Sequence, residues 1–169
     1  MRIFIKIIFF LIIIPSKSFS LIEVDITRGN LDPLPLAVSP LSIDENSRQN
    51  FEKILKKKNI GVEISKIIEV NLKTSGLFNP LNKDAFLQAP DIANLKPRFE
   101  DWNLIKAQAL ITGKVSYLDE KLRVEFRLWD VLAGKEMVAL AFTTVPTNWR
   151  RVGHIICLLY TSDAADEKY

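Results

Sequence analysis

A mixed α/β fold, one β-sheet packed by helices in the order β-β-α-β-α-β-β-β-α, is predicted by three features of this 169-residue chain. Leu122-Arg123-Val124-Glu125-Phe126-Arg127-Leu128 alternates apolar and polar residues with the period of a half-buried strand. Ile64, Ile67, Ile68 and Leu72 recur at helical spacing between two such apolar stretches. Once an N-terminal export signal is set aside, the length suits a single core of roughly 150 residues.

Residues 1–20 read as that signal. Arg2 and Lys6 form a basic region, Ile7 to Ile14 an unbroken apolar run, and Pro15 precedes a short polar stretch that ends at Ser20. The run is far shorter than the ~20 residues of a membrane-spanning helix. Small Ser18 and Ser20 favour cleavage between Ser20 and Leu21, with an uncleaved anchor as the alternative. Cleavage would leave no transmembrane segment. Arg2, Lys6 and Lys17 account for the whole formal charge of +3, so the remaining bases balance the 20 acids. That balance argues against a nucleic-acid binder, which needs a strongly basic face. Cys157 is the only cysteine, so no intrachain disulfide can form and the fold rests on packing.

The elements follow in order. Leu21 to Thr27 alternates, with Ile22, Val24 and Ile26 on one face and Glu23, Asp25 and Thr27 on the other, which predicts a strand. Turn formers from Arg28 to Pro33 end it. Leu34 to Leu41, apolar and bracketed by prolines, is the second strand. Ser42 to Asn59 is the most polar stretch; Phe51, Ile54 and Leu55 have helical spacing there, but it is given no element. Its Lys56-Lys57-Lys58 run reads as a solvated face, with a membrane surface or an acidic partner as the alternative. Val62 to Thr74 is a helix closed by Gly76. Leu77 to Leu81 returns to the sheet, Asn82 to Pro97 is irregular, and a short helix runs from Arg98 to about Ile105. Ala109 to Val115, Leu122 to Leu128 and Met137 to Val145 form a three-strand meander with turns at Asp119-Glu120-Lys121 and Ala133-Gly134-Lys135. The last helix has Thr147 or Asn148 as its N-cap and Trp149, Val152, Ile155 and Ile156 as its apolar face.

Catalytic chemistry is not legible in this sequence. There is no C-x-x-C, H-E-x-x-H or G-x-S-x-G pattern, and the six glycines make no phosphate loop. His154, the only imidazole, sits on an amphipathic helix and reads as a packed or capped side chain. Glu23 with Asp25, and Asp163 with Asp166, are carboxylate pairs by spacing alone. Trp102, Trp129 and Trp149 stand singly in different elements, as packing residues do. The expectation is a binding protein with no catalytic residue, no metal site and no cofactor. An enzyme with an unrecognised site around His154 is a rival.

These landmarks also occur in a known order. Ile22-Glu23-Val24-Asp25-Ile26 leads to Gly29 and then to Leu34-Pro35-Leu36-Ala37-Val38-Ser39-Pro40-Leu41. Asn71-Leu72-Lys73-Thr74-Ser75-Gly76-Leu77-Phe78-Asn79-Pro80-Leu81 and Trp102 follow. After them come Ala109-Leu110-Ile111-Thr112-Gly113-Lys114-Val115, Phe126-Arg127-Leu128-Trp129-Asp130-Val131 and Trp149-Arg150-Arg151-Val152-Gly153-His154. Across residues 21–156 the chain resembles the N-terminal domain of the TolB family, periplasmic proteins of the Tol-Pal system. It departs from that pattern in a longer, more basic Ser42 to Lys58 stretch, and at Lys106, where a helix-ending glycine is common.

The resemblance implies a non-enzymatic periplasmic protein linking inner-membrane TolA to the outer-membrane lipoprotein Pal, for outer-membrane integrity and constriction during division. Pal binding would belong to a β-propeller that follows this domain. TolA binding would fall to the N-terminal segment Ile22, Glu23, Val24, Asp25, Ile26, Thr27, Arg28 and Gly29, which could add as a strand to a partner's sheet edge. The same three apolar side chains equally suit packing on the domain's own sheet, and the two arrangements can coexist. Cys157 to Glu167 resembles the translation of a sequencing-library adaptor, so the biological sequence is expected to stop at about Ile156, leaving 157–169 as artefact. A free-standing envelope adaptor domain is the alternative function.

Overall fold

The computed structural model describes residues 32–166, with side chains as far as Leu159. Strand β1 (Leu34–Val38) has Leu36, Ala37 and Val38 all buried, so both of its faces are covered. It runs between two parallel neighbours, β3 (Phe78–Pro80) and β4 (Ala109–Leu118). Pro40 has no N–H for a ladder, and the chain leaves the strand there to resume as β2 (Ser42–Ile43) farther along the same edge of β4. The single strand expected over Leu34 to Leu41 is therefore interrupted.

Strands β4, β5 (Lys121–Asp130) and β6 (Lys135–Thr144) form the expected antiparallel meander. The first turn carries positive φ at Asp119 (47°) and Glu120 (60°), the backbone twist that a two-residue hairpin needs. The strand order is β3-β1-β4-β5-β6, with β2 beside β4.

Five helices among the described residues cover the sheet. On one face lie α1 (Glu45–Leu55), α2 (Ile60–Thr74) and α5 (Trp149–Asp166). Ile60, Ile64, Ile68 and Leu72 of α2 recur every four residues and pack on Leu36, Ile111, Val124 and Phe126 from the sheet. Each buried side chain of this size contributes about 1.5–3 kcal/mol. The other face carries a smaller core: Ala93 of α3 (Pro90–Leu95) and Trp102 of α4 (Phe99–Leu104) meet Ala37, Leu110 and Val131.

Two local expectations are corrected. Ser42 to Asn59 contains helix α1, which Asp44 caps by accepting the Ser47 N–H at 2.9 Å. Only Phe51 of its apolar residues is fully buried, and Ile54 is 47% exposed, so its periodicity is faint in the sequence. The Asn82 to Pro97 stretch holds a 3-10 turn (Lys83–Ala85) and α3, whose Pro90 opens the first turn where no N–H is required. Before the last helix, Pro146–Asn148 form a 3-10 turn leading into α5, and the Asn148 side-chain amide donates to Thr144 Oγ1 at 3.2 Å.

Candidate functional site

The residues that the sequence assigns to partner binding, Ile22 to Gly29, and to signal cleavage, Ser20 and Leu21, lie outside the described residues. So do the side chains of Asp163 and Asp166. The predicted strand Leu21 to Thr27 is likewise beyond them. The described chain starts at Asp32, exposed with Pro33, and passes at once into β1.

Within the described residues, a concave surface that gathers chemically distinct side chains lies where α2 crosses α5. Gly153 makes the crossing close: a Cβ there would stand 2.9 Å from Ile67 Cγ2. Beside it runs a groove of about 260 Å³ lined by Ile67, Val70, Trp149, Glu63, Lys66 and Arg150, with Asn71 and His154 at one end. Asn71 Nδ2 donates to His154 Nδ1 at 2.7 Å. His154 thus engages an amide rather than a carboxylate or a hydroxyl nucleophile. The groove has an apolar floor with charge at the rim.

The rim is ordered by the indole of Trp149. The Arg150 guanidinium lies 4.9 Å and Lys57 Nζ 5.7 Å from its ring centroid, both within cation–π range. Lys57 and Lys66 also reach Glu63, at 3.7 and 3.8 Å. Lys57 belongs to the lysine run that the sequence alone left without a function; nothing in the linear order announces that it meets a tryptophan more than ninety residues later.

The other singled-out residues serve packing. Trp129 Nε1 donates to Thr112 Oγ1 at 2.9 Å, and Trp102 is buried edge-on against Phe86. Cys157 is buried and burial pushes its thiol pKa up. Among the described residues no three His, Cys, Asp or Glu side chains are grouped to hold a metal, and no helix is long and apolar enough to cross a membrane.

Comparison with known proteins places this arrangement. Residues 22–137 match the model of the TolB amino-terminal domain. The chain belongs to the TolB amino-terminal domain family. A curated relative, the Tol-Pal system protein TolB of Pelagibacter ubique (strain HTCC1062), is 79% identical over 145 residues, which cover 86% of this chain and 32% of the relative. The chain thus spans about a third of that relative's length. Among solved structures, TolB from Acinetobacter baumannii aligns with TM-score 0.57 at 17% identity, over 75% of this chain and 27% of that one. Lipoprotein GNA1162 from Neisseria meningitidis aligns at TM-score 0.49 and 17% identity, over 78% and 97% of the two chains. The A. baumannii likeness supports the mixed α/β fold. The TolB-domain match opens at residue 22, so the predicted N-terminal strand falls inside the family domain, whereas α5 lies beyond the match's end.

Proposed function

We propose that this chain is the partner-binding amino-terminal part of a periplasmic, non-enzymatic Tol-Pal protein. The observation that carries this reading is the 79% identity over 145 residues to a Tol-Pal system TolB, together with a domain match that begins at Ile22. In it, residues 1–20 direct export and are cut between Ser20 and Leu21, releasing a new N-terminus directly before the alternating segment. Ile22 to Gly29 then binds inner-membrane TolA, and a propeller encoded after about Ile156 engages the lipoprotein Pal, so that the protein supports outer-membrane integrity and constriction during division. Residues 157–169 replace the biological continuation.

Strand addition explains why that segment suits the task. Its backbone supplies the ladder, Ile22, Val24 and Ile26 enter alternate pockets, and Glu23 and Asp25 select the charge of the partner's edge. The test is calorimetric titration of the exported chain with a soluble fragment of TolA lacking its membrane anchor. Val24→Asp should abolish binding while the far-UV spectrum stays unchanged; undiminished binding by the variant would sink the assignment. Amplifying the gene from its source DNA checks the boundary at Ile156: an open frame continuing into propeller repeats is expected, and a stop codon after Tyr169 would contradict it.

A further inference from the structure

The α2–α5 groove is separate from the N-terminal segment in sequence, and its charge is one-sided. Lys66 and Arg150 line it and Lys57 leans over its Trp149, so three cations border a groove whose lining includes one acid, Glu63. Glu63 is already shared between Lys57 and Lys66. Beneath this rim Val70 is 61% exposed beside half-buried Ile67, an apolar floor open to solvent.

From this juxtaposition we propose that the groove docks an acidic segment of a partner protein, which seats an apolar side chain on Ile67, Val70 and Trp149 while flanking carboxylates pair with Lys57, Lys66 and Arg150. Charge complementarity selects the partner. Two of the cations are already positioned by the indole, so pairing with them immobilises less than it would for free lysines. The size selects a side chain over a small-molecule ligand: about 260 Å³ falls below the ~300–1,000 Å³ of drug-sized sites. Concavity selects a peptide over a bilayer, because a flat anionic surface would satisfy the rim and leave the floor empty. The surface is distinct from the TolA-binding reading and survives or fails without it.

The test is an NMR titration of the intact ¹⁵N-labelled chain with a short synthetic peptide alternating Glu-Glu with Leu-Leu, and with a control in which Lys replaces Glu. The acidic peptide should shift the Trp149 indole resonance and the amides of Val70, Asn71 and Arg150, and the control should not. The double variant Lys57→Glu/Arg150→Glu should weaken binding roughly tenfold or more. Val70→Asp, at an exposed position that the fold does not need, should weaken it similarly and guards against misfolding of the double variant. Equal affinity in these variants, shifts scattered away from the groove, no binding, or binding only to phosphatidylglycerol vesicles would each overturn the proposal.

Discussion

Lys106 has φ 62°, a left-handed conformation that side chains with a Cβ adopt at a cost of about 1–2 kcal/mol. It is held there by a C-terminal helix cap: Lys106 N donates to Asn103 O at 2.9 Å and Ala107 N to Trp102 O at 3.0 Å, the paired bonds that close α4. The departure from glycine visible in the sequence therefore falls on the backbone position where glycine is cheapest. Lys106→Gly should stabilise the domain by about 1 kcal/mol, the relief of strain less glycine's greater entropy loss. A urea titration should record a higher midpoint at unchanged slope, and an unchanged or lower midpoint would contradict this account. Ser65 is another residue whose role emerges only in three dimensions. Its buried hydroxyl accepts from Leu41 N at 2.9 Å, just past the interruption at Pro40, and has Gly61 O at 2.9 Å as an acceptor. Gly61 is required beside it, since a Cβ would stand 2.2 Å from Leu41 O.

Helix α1 is held at its start by one carboxylate. Asp44 sits below the usual carboxylate range chiefly because it accepts the Ser47 N–H; partial burial opposes this, while the Ser47 hydroxyl and the nearby Lys114 ammonium add to it. Ser47 in turn accepts from Tyr117 N at 2.8 Å, tying the helix start to β4. Because the folded-state pKa is lowered, the stabilisation is present above the unfolded value near ~4 and is lost as pH falls through the folded one. Asp44→Ala should cost about 1 kcal/mol at neutral pH. The gap in thermal midpoint between wild type and variant should narrow progressively below pH ~4; a gap constant down to the acid limit would assign the effect to something other than the charge. This helix also marks how far the sequence was legible. Helix α2 and the meander were read because whole faces are apolar, from Ile64 to Leu72 and from Leu122 to Leu128. Helix α1 buries Phe51 and little else fully, and α3 buries Ala93 alone, so neither leaves a periodic trace. The α2–α5 groove was illegible for another reason: its members are brought together by helix crossing, and a lysine run gains meaning only beside Trp149.

Across the whole described molecule, protection from water falls unevenly over the sheet. Strand β4 pairs with β1 and β2 on one edge and β5 on the other, and residues Ala109 to Gly113 are all buried. Strand β6 pairs with β5 alone, and most of its side chains are exposed, including Leu140 at 42%. The opposite edge is short and ends at Pro80, which has no N–H to offer a further strand. Opening β6 breaks one ladder and exposes little core, whereas freeing β4 breaks three and separates both apolar clusters. Amides of Leu110, Ile111 and Thr112 should therefore exchange with deuterium only through global unfolding, their opening free energies falling with added denaturant at the slope of the equilibrium transition. Amides of Ala139 to Thr143 should exchange through local opening, with lower free energies and little denaturant dependence. Native-state hydrogen exchange followed by NMR reads both in one experiment. Equal protection of β4 and β6 would mean that the edge strand opens only with the core, and that a layer beyond the described residues covers it.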